Sequence, residues 1–292
     1  MEMNDFDTKD CITPTGIAHE LAESVMPDKA NFRKSKTWVL AIAAGALIAF
    51  GAQVSLTVMT GSEAISWGFA KLIGAITFAT GLMMVVLTGA ELFTGNVMMI
   101  FSVIEKKTSL RKLLRNWSIV YAGNFIGAVI VALLIYLSGC SHNSHEELGI
   151  MGLNTAYTKA TLTFVEAFTR GILCNWLVCL AIWMASASRH VIGKIFAIFF
   201  PIVTFVASGY EHSIANMYFL TNGLFLKSTP AVVAAAEYTP EMLDAINLKS
   251  CILGNLIPVT LGNMVGSIVF VVLIFWTAYL RQDNRKKRVF KR

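Results

Sequence analysis

Residues 81–101 read GLMMVVLTGAELFTGNVMMIF, and residues 201–220 read PIVTFVASGYEHSIANMYFL. Both are apolar enough to lie in lipid, yet both are interrupted halfway. Glu91, Thr94, Gly95 and Asn96 break the first, and Ser208, Gly209, Glu211, His212, Ser213 and Asn216 break the second. In hydrocarbon each backbone N–H and C=O must be satisfied internally, so irregular backbone at that depth is tolerated only where protein or a wet cavity covers it. The two breaks therefore predict two pairs of half-helices meeting inside a bilayer.

The breaks match one another. Glu91 and Asn96 have the same separation as Glu211 and Asn216, and each break precedes a span with a shared opening: GNFIGAVIVALLIYL from Gly123 and GNMVGSIVFVVLIFW from Gly262. Ala41, Gly45 and Leu47 upstream align, more weakly, with Ala167, Gly171 and Leu173. The chain thus reads as an internal duplication. Each copy holds three spans, an odd number, so the second enters the membrane from the opposite side. Inverted repeats with paired broken helices place a transporter or channel site near the midplane, at the repeat interface.

Six stretches reach the roughly 20 apolar residues that a spanning helix needs: about 37–60, 68–104, 113–138, 160–187, 192–225 and 250–280. With 55% hydrophobic and 14% charged residues, a soluble domain is excluded. The net charge of +6 is concentrated between and after the spans, at Arg33, Lys34 and Lys36, at Lys106 to Arg115, at Arg189 and Lys194, and in the tail from Arg281. Glu63, Glu146, Glu147, Glu237, Glu241 and Asp244 occupy the alternate connections. That distribution argues for a lipid bilayer rather than nucleic acid as partner, and puts both termini on the cytoplasmic side of what is expected to be a bacterial inner membrane. The chain divides into a cytoplasmic segment over 1–36, a six-helix channel domain over 37–281 and a basic tail over 282–292. Within the first, Pro14, Ile17, Leu21 and Val25 mark an amphipathic helix over 14–26, closed by Pro27 and lying on the cytoplasmic face. The mixed-charge N-terminal segment is too long and acidic for a signal peptide.

Ionisable residues inside a membrane are functional candidates by default. Glu91 and Glu211 directly precede the second half-helices, where they can satisfy open N–H groups or bond a neighbouring helix, and Glu166 and Arg170 are spaced for an intrahelical pair. His212 differs, because repeat alignment sets Leu92 opposite it. A histidine at a helix break can donate to a passing anion, and its reference pKa of ~6.5 permits a pH response. Thr94 supplies a hydroxyl in the other break. Phe78, Leu82, Leu92, Val178 and Phe205 flank these groups and can form hydrophobic constrictions around a small polar chamber. Lys159, at the outer start of the fourth span, can draw anions into the mouth. The five cysteines show no metal spacing, and the His142–His145 loop reads as solvated rather than enzymatic, so no metal or cofactor is expected.

The motifs ASGYEHSIANM and AELFTGN, with GILCNWLVCLAIWMA and NLIPVTLGN, resemble the formate/nitrite transporter family over about residues 14–281. The resemblance implies an all-α, aquaporin-like protomer with its own pore, assembled as a homopentamer; the number five comes from the resemblance alone. It also implies that Thr94, His212 and Asn263 line a central chamber. Leu82, Leu92 and Val178 would form the cytoplasmic constriction, Phe78 and Phe205 the periplasmic one, and Lys159 and Asn175 the outer vestibule. Formate-type and nitrite-type motifs are mixed. The expected cargo is a small monovalent anion with linked protons; hydrosulfide or a short carboxylate is the alternative. A water or glycerol pore is disfavoured because neither break carries the paired Asn-Pro-Ala motif of such pores.

Overall fold

The computed structural model describes residues 11–62 and 65–281. Glu63 and the basic tail over 282–292 lie outside the described residues. The architecture is all helical: α1 over 14–31, α2 (Lys34–Met59), α3 (Trp67–Thr88), α4 (Phe93–Ile104), α5 (Leu110–Leu137) and α6 (Glu147–Ala160) are followed by α7 (Phe164–Ala187), α8 (Val191–Ala207), α9 (Ser213–Leu226), the short α10 (Pro230–Ala235) and α11 (Pro240–Ala245), and α12 (Ser250–Leu280). Helices α2, α3, α5, α7 and α12 are long and apolar enough to cross a membrane unaided. The second span adds the short α4 to α3, and the fifth is divided between α8 and α9, in each case at the break read from the sequence. Six crossings result, three per inverted repeat. The face bearing the basic connections is called inner below, and its opposite outer.

Small residues set the packing within each repeat. A Cβ on Gly127 of α5 would stand 2.0 Å from the Ile42 carbonyl oxygen of α2, and one on Gly266 of α12 would stand 2.2 Å from the Ile172 carbonyl oxygen of α7. Neither pair of backbones could approach so closely with any larger side chain. These contacts also fix the repeat register, since Ile42 corresponds to Ile172. Asn124 donates to the Ala41 carbonyl and Asn263 to that of Gly171, which pairs Ala41 with Gly171. The alignment of Ala41 with Ala167 and Gly45 with Gly171 is therefore one helical turn out of register. Small residues four apart in both spans let the pattern match slip by one turn.

Two further expectations are corrected. The N-terminal helix does not end at Pro27 but runs on to Asn31 through a widened π turn at Leu21–Val25. A proline lacks an N–H and crowds the carbonyl four residues back, and a widened turn before it relieves both demands. Its apolar face, Ile17, Ala18, Leu21, Ala22, Met26 and Ala30, is buried against the inner side of the helical bundle. Lys159, in turn, is not on the fourth span. It occupies the last turn of α6, a separate amphipathic helix over the outer side. Each repeat is therefore a capping helix followed by three spans.

Candidate functional site

Helices α3 and α8 end alike. Gly89 and Gly209 adopt φ of 70° and 71°, a left-handed conformation that glycine takes without Cβ strain, and the next N–H groups close the turn: Ala90 onto the Val85 carbonyl and Tyr210 onto that of Phe205, both at 3.0 Å. Three residues of non-helical chain follow before α4 and α9 begin. One asparagine holds each extended stretch. Asn124 donates to the Ala41 and Glu91 carbonyls at 2.7 and 2.9 Å and accepts from the Phe93 N–H at 2.9 Å. Asn263 donates to the Gly171 and Glu211 carbonyls at 2.8 and 2.9 Å and accepts from the Ser213 N–H at 2.9 Å. Both are fully buried. The Asn263 carboxamide is committed to backbone groups, the Glu211 carbonyl and Ser213 N–H of the break and the Gly171 carbonyl of α7.

A charged cluster braces each break. On the outer side Lys159 Nζ donates to both carboxylate oxygens of Glu211, at 2.9 and 3.0 Å, and Asn216 links Glu211, at 2.6 Å, to Asn255, at 2.7 Å. On the inner side Lys29 Nζ reaches Glu91 at 2.7 Å, and Asn96 links Glu91, at 2.7 Å, to Asn116, at 2.9 Å. Sequence reasoning missed Lys29, Asn116 and Asn255. A signal existed: Lys29 stands as far before the start of α2 as Lys159 does before the start of α7, and Asn116 and Asn255 precede their GN motifs equally. The expected pair of Glu166 with Arg170 is only a 4.0 Å contact between exposed side chains. Glu166 mainly caps α7, accepting from the Thr163 N–H at 2.9 Å and hydroxyl at 2.7 Å.

Between the clusters the two copies meet. Thr94 Oγ1 and His212 Nε2 are 2.9 Å apart, both residues buried. His212 Nδ1 accepts the Ala215 N–H at 3.2 Å, capping α9. With Nδ1 serving as acceptor, the neutral ring carries its proton on Nε2 and donates it to Thr94 Oγ1, leaving the threonine hydroxyl proton free for another acceptor. Asn175 is not beside Lys159 in the outer cavity. It is fully buried next to the centre, donating to the Thr94 carbonyl at 3.1 Å and to the Asn263 carbonyl at 2.8 Å.

A cavity opens on either side of this centre. The outer one, of about 310 Å³, reaches down to Phe78, Phe205 and His212 and includes Lys159 and Glu211 in its wall. The inner one, of about 400 Å³, reaches Leu82 and Leu92 and is walled in part by Lys29 and Phe32 of the N-terminal segment. Phe78 and Phe205 meet edge to face, their ring centroids 5.7 Å apart, and Phe205 lies 6.1 Å from the His212 ring. Val178 is buried and lines neither cavity. Two cavities, apolar at their floors, thus flank one buried hydroxyl–imidazole pair.

The family model described as formate/nitrite transporter matches residues 17–277. The chain is 38% identical to the formate channel FocA of Escherichia coli strain K12 over 277 residues, covering 94% of this chain and 97% of that protein. It is 36% identical to an uncharacterized transporter, YrhG, of Bacillus subtilis strain 168 over 279 residues, 92% of this chain and 96% of that one. Among solved structures it superimposes on a pentameric formate channel with formate bound at a TM-score of 0.78 and 35% identity, covering 85% of this chain and 98% of that one.

Proposed function

The chain belongs to the formate/nitrite transporter family, and from that premise we propose that it carries a small monovalent anion, formate or nitrite, through a pore in each copy of a homopentamer in the bacterial inner membrane. Thr94 and His212 are the groups that meet the anion. Phe78 and Phe205 form the outer constriction and Leu82, Leu92 and Val178 the inner one. Asn263 and Asn175 position the two breaks, Asn263 by closing the backbone at Ser213 and Asn175 by holding the Thr94 carbonyl. The observation that carries this reading is the 2.9 Å contact between Thr94 and His212, buried where the floors of two opposed cavities converge. The pair comes from the two different repeats, so it lies where an inverted duplication places a substrate.

Energetics select the form in which the anion crosses. The idealised cost of moving a bare carboxylate-sized ion into a low-dielectric slit is of order 20 kcal/mol, more than one hydroxyl and one imidazole N–H repay. A proton picked up at the floor of either cavity, from water or through His212, removes that penalty, and the neutral acid then passes the apolar rings. Transport of this kind is proton-linked and reversible.

Proteoliposomes loaded with a pH dye and held at a clamped potential test it. Expected is formate uptake that acidifies the lumen mole for mole and carries no current. Uptake accompanied by an equivalent inward negative current, without acidification, would show that the charged anion crosses instead.

A further inference from the structure

The outer cavity contains a cation that neither the brace nor the pore uses. Lys71, near the start of α3, lines its wall together with Lys159, Arg170 and Glu211. Lys159 is already matched: two of its N–H groups go to Glu211, and its ammonium rests over the Phe219 ring at 5.2 Å. Arg170 contacts Glu166 at the mouth. Among the described residues no carboxylate lies within ion-pair distance of Lys71. Its ammonium approaches the Trp67 ring at 5.8 Å and feels the charges of both Lys159 and Glu211 across the cavity. A lysine at the end of a spanning helix usually extends its ammonium into the headgroup region. Lys71 instead borders an aqueous pocket whose single lining carboxylate is taken by another lysine.

We infer that Lys71 is the anion-capturing residue of the outer vestibule and that Lys159 is a positioning residue, holding Glu211 and through it the break at His212. The inference rests on the anion-channel reading and assigns the step that precedes it, concentration of the anion at the outer mouth. The Lys159 charge still reaches Lys71 across the cavity although Lys159 is paired, so both cations add to the field there, and Lys71, with no ion-pair partner among the described residues, is the one free to meet an incoming anion. Capture of this kind sets the concentration dependence of entry rather than the maximal rate, and it weakens as salt screens the charge.

The test is the initial rate of formate entry into intact cells against external formate, at low and high ionic strength, for the unaltered protein, Lys71→Gln and Lys71→Arg. Lys71→Gln is expected to raise the half-saturating concentration about 5- to 10-fold, leave the maximal rate within about 2-fold and flatten the salt dependence at low formate, with Lys71→Arg restoring both. Efflux from preloaded cells is expected to keep its wild-type concentration dependence. Unchanged half-saturation and salt dependence in Lys71→Gln would overturn the assignment. So would a loss of maximal rate that Lys71→Arg does not rescue, since that marks a structural role. If the unaltered protein moves no formate, the reading of its cargo fails, and the same split read with nitrite or hydrosulfide decides Lys71 on its own.

Discussion

The two repeats are alike where they hold the chain and unlike where they face each other. Both copies end a helix on a left-handed glycine, bridge the gap with an asparagine and brace it with a Lys–Glu–Asn–Asn cluster. At the centre the likeness stops: Leu92 stands where the other copy has His212, and Thr94 where it has Ile214. The scaffold has to solve the same problem twice, because each half buries three residues of open backbone. The pore as proposed uses only one hydroxyl and one imidazole. Symmetry therefore marks what is structural, and its loss marks what is available for chemistry.

The largest effect that would break this comparison is removal of a bracing cation. Lys159→Met leaves the Glu211 carboxylate buried without its lysine, at a cost of roughly 3–5 kcal/mol, read as a lower unfolding midpoint in detergent. Lys29→Met is expected to cost at least as much, since the Glu91 carboxylate it strands is 1% exposed against 6% for Glu211. A clearly smaller loss for Lys29→Met would mean that burial of the stranded carboxylate does not set the cost of breaking a brace. Next in size, Asn124→Ala and Asn263→Ala each strand one buried N–H and remove a donor from two buried carbonyls; at roughly 1–3 kcal/mol per stranded group the two variants should lose comparable stability. Asn263→Ala alone abolishing transport in a fully folded protein would instead make Asn263 part of the anion path.

How much of this was legible beforehand follows from the same physics. The breaks could be read directly, because a glutamate and an asparagine in an apolar run are costly anywhere but in a covered gap. The GN motifs marked the repeat, but their work as backbone bridges was invisible, since an asparagine's partners are distant in sequence. Lys29 stayed hidden because a lysine in a polar segment before the first span looks like any other positive-inside charge. Lys159 was noticed and then misplaced, since the polar face of α6 gave no sign of a helix separate from the span that follows. Periodicity found the N-terminal helix but stopped it at Pro27, where a widened turn carries it on.

The sharpest use of the asymmetry is at His212. His212→Phe keeps the ring volume beside Phe205 and removes both nitrogens, so α9 loses one capping bond and Thr94 its partner. Losing a cap costs about 1 kcal/mol, too little to unfold a protein of this size, and the variant should purify as the same assembly. Anion uptake is expected to fall by at least about tenfold, the equivalent of 1.4 kcal/mol of barrier, and the remainder should no longer respond to pH. Leu92→Phe, the same side chain in the mirrored position, serves as the control. It narrows the inner constriction and slows uptake, yet should preserve the shape of the pH profile. Were the two variants to leave identical profiles, the difference between the repeats at these positions would be steric, and the imidazole would have no part in moving the proton.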